Sequence, residues 1–232
     1  MLPSAGLSKT QVDRLGNRLR KGDISEADLR LLDSYRRSFT DAYEDVVGKI
    51  RDQLGLEPTG RPAKSTTSIS EKLRRESIRL SQIQDIAGCR VIVPDILTQD
   101  DVVARLKGLF DRLTVVDRRE HPSHGYRAVH VIVDSGGKLI EIQVRTKLQH
   151  AWAELSEKLS DVIDSAIKYG RGNEEVVSLL ANMSEVTMNV EIAIKTKDID
   201  RMTIELQRWS GLLERLQDVI HRVKGRKDAL SN

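Results

Sequence analysis

The amino-acid sequence predicts a mixed α/β domain flanked on both sides by helical segments, and three observations carry that prediction. Between about residues 57 and 160 the apolar residues switch between a period of two and a helical period. The stretches on either side keep the helical period alone. Turn-forming residues separate the two kinds of stretch, as they do where strands and helices share one core.

The first zone runs from about 7 to 56. Ser8 with Gln11 and Ser25 with Asp28 open two capping patterns. Leu29, Leu32, Tyr35, Phe39, Tyr43, Val46 and Ile50 then recur at helical spacing, which predicts a short helix followed by a long one. The polar loop EPTGRPAKSTTS ends this zone. In the middle zone ISEKLRRES reads as a short helix and GCRVIVPD as a strand rich in β-branched residues. Thr98 with Asp101 caps a helix whose stripe is Val102, Val103, Leu106, Leu109 and Phe110. LTVVD, YRAVHVIVD and KLIEIQVRT are three further strands, the last two joined as a hairpin by Gly136 and Gly137. A helix starts near Lys147. From about 173 to 226, Val176, Leu179, Leu180, Met183, Val186, Val190 and Ile194 form one stripe, and Leu206, Trp209, Leu212, Leu213, Leu216, Ile220 and Val223 a second. Two long antiparallel helices account for both. The expected divisions are 1–56, 57–165 and 166–232.

Bulk properties narrow the function. With 31% charged and 39% hydrophobic residues, the chain has the balance of a folded, helix-rich protein and not of a disordered one. The net charge of +3 is a weak global pointer to an anionic partner, so local clusters matter more. The single cysteine, Cys89, excludes an intramolecular disulfide and favours a reducing compartment. No apolar run reaches the ~18 residues of a membrane helix, and MLPSAGLSKT lacks a charged-then-apolar signal pattern. The expected location is cytoplasmic. Neither a P-loop, a G-x-G-x-x-G fingerprint nor a G-x-S-x-G elbow occurs.

Three groups of residues have the chemistry for a site. Asp85 stands just before the GCRVIVPD strand, and Glu141 lies inside LIEIQV, where alternation puts it with Gln143 on one face and Ile140, Ile142 and Val144 on the other. Carboxylates on adjacent strands can converge on one hard cation, and Mg²⁺ takes one or two of them along with substrate phosphates. A solvated strand face and an ordinary turn aspartate fit the same residues. Residues 61–79 carry six basic side chains (Arg61, Lys64, Lys72, Arg74, Arg75, Arg79) against two acidic ones, Glu71 and Glu76. Lys72 and Arg75 share a helix face, while Lys64 and Ser68 lie near a helix start, where free N–H groups favour phosphate. That run also fits a solvated basic helix face. In SHGYRAVH, Gly125 permits a tight turn, Tyr126 offers a ring for base stacking, and Arg127 and His130 add hydrogen-bonding capacity. A half-buried strand residue is the other reading of Tyr126. His121 and His124 have no third ligand to complete a zinc site.

The order of these groups is more specific than any one of them. KSTTSISEKLRR (64–75), QDIAGCR (84–90), GYRAVH (125–130) and EIQVRT (141–146), with WAELSEKL (152–159) after them, resemble in sequence and order the synthetase domain of the RelA/SpoT family, over about 57–165. The resemblance implies a polymerase-β-like nucleotidyltransferase fold, a mixed sheet flanked by helices. It also implies an enzyme that moves the β,γ-pyrophosphate of ATP to a 3′-hydroxyl. Under it, Lys64, Ser68, Lys72 and Arg75 would hold the donor phosphates and Arg90 would pack near the ATP base. Asp85 and Glu141 would bind Mg²⁺. Glu141 would also take the proton of the attacking hydroxyl, with Gln143 helping to orient it. Tyr126 would stack on the acceptor base, supported by Arg127 and His130.

The sequence departs from the family pattern in places. The usual R-x-K reads R-P-A-K, which displaces Arg61 by one residue. His121, Pro122, Ser123 and His124 stand where a lysine for acceptor phosphate is expected. The donor half is intact and the acceptor half altered. Implied acceptors are GDP or GTP, giving (p)ppGpp. The family's toxin branch, with a similar P-S-H-G-Y-R-A loop, implies instead the 3′-CCA end of tRNA or an adenosine nucleotide, along with an antitoxin partner. Arg14, Arg18, Arg20, Lys21, Arg36 and Arg37 would then supply an RNA-facing surface, though solvated helix faces fit them too. A catalytically silent binding module is the third reading, and retention of Asp85 and Glu141 argues against it. Oligomeric state is not legible in the sequence.

Overall fold

The computed structural model describes residues 7–230, with side chains described for all of these but Arg61 and 224–230. Helices α1 (Lys9–Lys21), α2 (Glu26–Arg37) and α3 (Thr40–Leu54) come first, then β1 (Thr59–Arg61), α4 (Thr66–Arg75), β2 (Ala87–Val93), α5 (Ile96–Leu109) and β3 (Leu113–Asp117). The hairpin β4 (Val129–Ser135) and β5 (Lys138–Thr146) follows, and then α6 (Lys147–Val162), α7 (Glu174–Thr196) and α8 (Ile199–Leu230). The strands form one mixed sheet in the order β1-β2-β5-β4-β3, with β1 antiparallel to β2. Among the described residues no helix is long and apolar enough to cross a membrane.

The expected elements are present, with four local differences. Capping boxes form at Ser8 and Ser25 as the sequence predicts, but the long first-zone helix is two. At Ser38 the N–H is shared between the Ser34 carbonyl at 3.1 Å and that of Tyr35 at 3.2 Å, and the Phe39 N–H makes an i→i−3 bond to the Arg36 carbonyl at 3.0 Å. Their φ and ψ stay near helical values, so no glycine or proline marks the break. Strand β1 lies inside the stretch read as a polar loop and pairs Gly60 with Cys89. Helix α5 starts earlier than expected, because Asp95, not Thr98, is its cap and accepts from the Thr98 N–H at 2.8 Å. In the C-terminal stripes Ile194 and Leu206 are exposed, and Val219 and Glu205 take buried positions.

The chain divides into two compact units. The first comprises residues 1–91, 104–115 and 130–143. Here α1 packs on α4 and on the 3₁₀ turn Leu80–Gln82. Gly16 makes that approach possible, since a Cβ there would lie 2.6 Å from the Leu80 Cβ. Arg20 donates to the carbonyls of Leu73, at 2.7 Å, and Ile78, and Arg36 donates to the Thr66 hydroxyl at the start of α4. With Arg18 bound to Asp28, three of the six basic residues read as an RNA-facing surface have protein partners instead. Arg14, Lys21 and Arg37 are exposed.

The second unit comprises residues 92–103, 116–129 and 144–232. Trp152, Leu159, Val176, Leu179, Met183, Val186, Leu212 and Leu216 form its apolar core. Helices α7 and α8 run antiparallel, since Asn189 meets Arg201, Glu185 meets Arg208 and Glu175 meets Arg222. A buried polar network crosses this unit. Glu191 accepts from the Thr146 hydroxyl and from Gln149 at 3.1 Å, and Gln99 donates to Gln149 at 2.8 Å.

Candidate active site

In the first unit the residues expected to hold donor phosphates gather around α4. Ser65 caps the helix, accepting from the Ser68 N–H at 3.2 Å and donating to the Ser68 hydroxyl at 2.8 Å. One turn later Lys72 reaches Asp85 at 3.0 Å, and Lys64, from the loop before the helix, takes the other carboxylate oxygen. All three side chains are largely buried, so their charges act at low effective dielectric. Burial alone would raise the Asp85 carboxyl, but the two ammonium charges outweigh it and hold it below the usual carboxylate range. Arg75, at the last turn, meets Glu76 at 2.9 Å on the exposed side. Arg90 lies on β2 opposite Thr59.

Glu141 projects from β5 in the same unit. Its Oε1 is 2.8 Å from His130 Nδ1, and its Oε2 accepts from the Gln143 amide at 2.7 Å. Burial pushes this carboxyl up, and the hydrogen bonds from His130 and Gln143 more than offset that, so it is held low as well. The Asp85 charge is felt at Glu141 and works against its ionisation. Two ionised carboxylates within electrostatic reach, with hard oxygen donors, suit a divalent cation that completes its shell with phosphate oxygens. Among the described residues no group of three or more His, Cys, Asp or Glu could hold a metal unaided.

Gly88 is a part of this site that the sequence reading passed over. A Cβ on Gly88 would lie 2.6 Å from the Glu141 carbonyl oxygen and 3.3 Å from its Cβ. Only glycine lets β2 approach the strand that carries Glu141 so closely. The signal was a lone glycine inside a β-branched strand, which marks a close backbone approach. The neighbouring Cys89 is buried, and burial together with the Glu141 charge pushes its thiol up to about 12, which leaves it inert.

The block expected to hold the acceptor lies at the turn before β4 and at its start. His124 and Gly125 both have positive φ, 53° and 85°, and Ser123 and Tyr126 exchange backbone hydrogen bonds at 3.0 and 3.2 Å, which makes a tight two-residue turn. In the second unit, Ser184 of α7 donates to the Gly125 carbonyl at 2.6 Å, and a Cβ on Gly125 would lie 2.7 Å from Trp152. Arg127 is buried, donating to Ser184 at 3.0 Å and to the Arg119 carbonyl, so its guanidinium holds the loop. Tyr126 is half-buried, and its hydroxyl accepts from Arg145. His130 belongs to the first unit, with Glu141.

Comparisons with known proteins bear on the family and the fold. A family profile, region found in RelA/SpoT proteins, matches residues 60–161. The GTP pyrophosphokinase YjbM of Bacillus subtilis is 39% identical over 158 residues, covering 58% of this chain and 73% of that protein. An uncharacterised protein of Mycobacterium tuberculosis is 32% identical over 182 residues, 74% of this chain and 65% of its own length, so the chain spans less than two thirds of that relative. Among solved structures, a GTP pyrophosphokinase family protein from Streptococcus pneumoniae superposes with a TM-score of 0.54 at 25% identity, over 78% of this chain and 98% of that one. Small alarmone synthetase 1 from B. subtilis, bound to its product pppGpp, superposes with a TM-score of 0.51 at 28% identity, over 71% and 96%. With that profile match, and 39% identity to YjbM across nearly three quarters of that protein's length, the chain belongs to the RelA/SpoT family.

Proposed function

We propose that this protein is a pyrophosphokinase that transfers the β,γ-pyrophosphate of ATP to the 3′-hydroxyl of GDP or GTP, giving (p)ppGpp-type alarmones. The observation that carries this reading is Asp85, held ionised between Lys64 and Lys72 in the same unit as the ionised Glu141. Two lysines spent on one carboxylate are cations waiting for a polyanion. Donor phosphates draw Lys64 and Lys72 toward themselves, with Ser68 and Arg75 as further donors and Arg90 beside the base, and free the Asp85 oxygens. Asp85 and Glu141 would hold a Mg²⁺ ion along with phosphate oxygens, and the ion would neutralise phosphate charge as the transferring bond breaks.

The acceptor 3′-oxygen attacks the β-phosphorus, the bond from that phosphorus to the α-phosphate oxygen breaks, and AMP leaves. Glu141 takes the hydroxyl proton, while His130 and Gln143 fix the orientation of its carboxylate. Tyr126 supplies a stacking face for the acceptor base, and Arg127 keeps the loop in shape.

A second reading, transfer to the tRNA 3′ end by a toxin with an antitoxin partner, rests on the His121–His130 loop. Protein partners engage Arg18, Arg20 and Arg36, half of the basic residues expected to face RNA. Incubation with γ-labelled ATP, Mg²⁺ and, separately, GDP, GTP, ATP, AMP or deacylated tRNA decides between them. Label on GDP or GTP is the expected result. Label on tRNA alone overturns the guanosine reading, and label on nothing leaves a silent binding module.

A further inference from the structure

Arg145 belongs to the EIQVRT block, yet neither the donor cluster nor the carboxylates give it a task. It is 4% exposed, near the end of β5. Its guanidinium acts twice on one side chain. Nε and Nη2 donate to the Tyr126 hydroxyl at 3.2 and 3.0 Å, and the guanidinium carbon lies 4.8 Å from the centroid of the Tyr126 ring. Both residues lie in the second unit. A buried arginine loses its hydration, and here two of its donors go to a neutral phenol.

Backbone bonds do not explain that expenditure. The Ser123–Tyr126 turn, the Ser184 bond to the Gly125 carbonyl and the contact with Trp152 already fix the main chain. The Tyr126 ring itself packs against the apolar core of the second unit, with its hydroxyl end at Arg145. An aromatic ring serves as a stacking surface only when its plane is set before the ligand arrives, because ordering it on binding subtracts from affinity. The Arg145 contacts add to the core packing in supplying that constraint, holding the hydroxyl end and lying against the ring as a cation.

We propose that Arg145 is the positioning residue that fixes the Tyr126 ring as a pre-set stacking platform for the acceptor base, so that recognition of a base-bearing acceptor depends on the Arg145–Tyr126 pair. The proposal rests on the acceptor reading above. Its test compares the wild type with Arg145→Met, Arg145→Lys, Tyr126→Phe and the double variant Arg145→Met/Tyr126→Phe. The measurements are equilibrium GDP binding by calorimetry, steady-state KM for GDP and for ATP, and thermal melting. Tyr126→Phe keeps the ring and the fold and removes only the anchored hydroxyl.

The expected result is that Arg145→Met and Tyr126→Phe each weaken GDP binding and raise its KM on the order of tenfold, a fraction of what loss of base stacking costs. ATP KM stays within about twofold, Arg145→Lys recovers part of the loss, and the double variant is no worse than either single one, as for two residues acting as one unit. Unchanged GDP affinity in Tyr126→Phe, or losses that add in the double variant, would overturn the proposal while wild-type transfer to GDP stands. A fall in melting temperature with parallel rises in both KM values would show a merely structural arginine and overturn it as well. A wild type that neither binds nor pyrophosphorylates GDP would overturn the acceptor reading itself, and this proposal with it.

Discussion

Glu141 accepts from two neighbours of different kinds, an imidazole nitrogen at 2.8 Å and an amide at 2.7 Å, and both favour its ionised form. A carboxylate kept charged despite burial is available, unprotonated, as an acceptor or a metal ligand. Replacing it by glutamine keeps the shape and removes the basicity. Glu141→Gln is expected to lower kcat about 10²–10⁴-fold, the range for loss of a general base, with the melting temperature nearly unchanged. Single-turnover transfer of labelled pyrophosphate, beside a melting curve, checks it. At this scale the sequence supplied residue types and strand faces, since alternation along LIEIQV puts Glu141 and Gln143 together and the structure leaves both half-buried between the buried Ile140, Ile142 and Val144. It did not supply partners. Lys64 and Asp85 are 21 positions apart, and no local rule joins them.

Elements were legible where their signals are local. The capping boxes at Ser8 and Ser25, the Gly136–Gly137 hairpin turn and the helix opening at Lys147 depend on contacts within four residues, and all are present. The start of α5 was misread because two residues of capping type, Asp95 and Thr98, stand three apart. Asp95 wins by accepting from both the N–H and the hydroxyl of Thr98, at 2.8 and 2.9 Å. Asp95→Ala is therefore expected to cost about 1 kcal/mol, measured by urea unfolding, with the pyrophosphate-transfer rate preserved. The division of the first-zone helix at Ser38 escaped notice because φ and ψ there barely leave the helical region. Three residues of β1 in a polar loop were equally silent, since a strand that short has no period to read.

For the whole molecule, pH discriminates between buried carboxylates of opposite kinds. The hydrogen bond from Arg18, aided by the Ser25 N–H, lowers Asp28 to about 2. Its contribution is present above the ordinary carboxylate range and lost as pH falls through about 2. Burial raises Glu191 above its ordinary value, so its ionisation penalises the folded state increasingly as pH rises through that raised value, and the penalty is absent below the ordinary range. Glu191→Gln is expected to raise the melting temperature at pH 7–8, with the gain shrinking toward about pH 4. Asp28→Asn should lower it at pH 7, with the difference closing only in strong acid. Calorimetry of both variants across that range checks the two signs together.

The sequence by itself determined the family, the succession of strands and helices and the face of β5 that carries Glu141, because block order, caps and alternation are written within a few residues of chain. Only the tertiary structure decided that Asp85 is shared by two lysines, that Arg18, Arg20 and Arg36 find protein partners within the first unit, and that Arg145 grips Tyr126. Those pairings span up to 58 positions. Charge and size fix what a side chain is able to meet, and only the packing of whole elements fixes which partner comes within 3 Å.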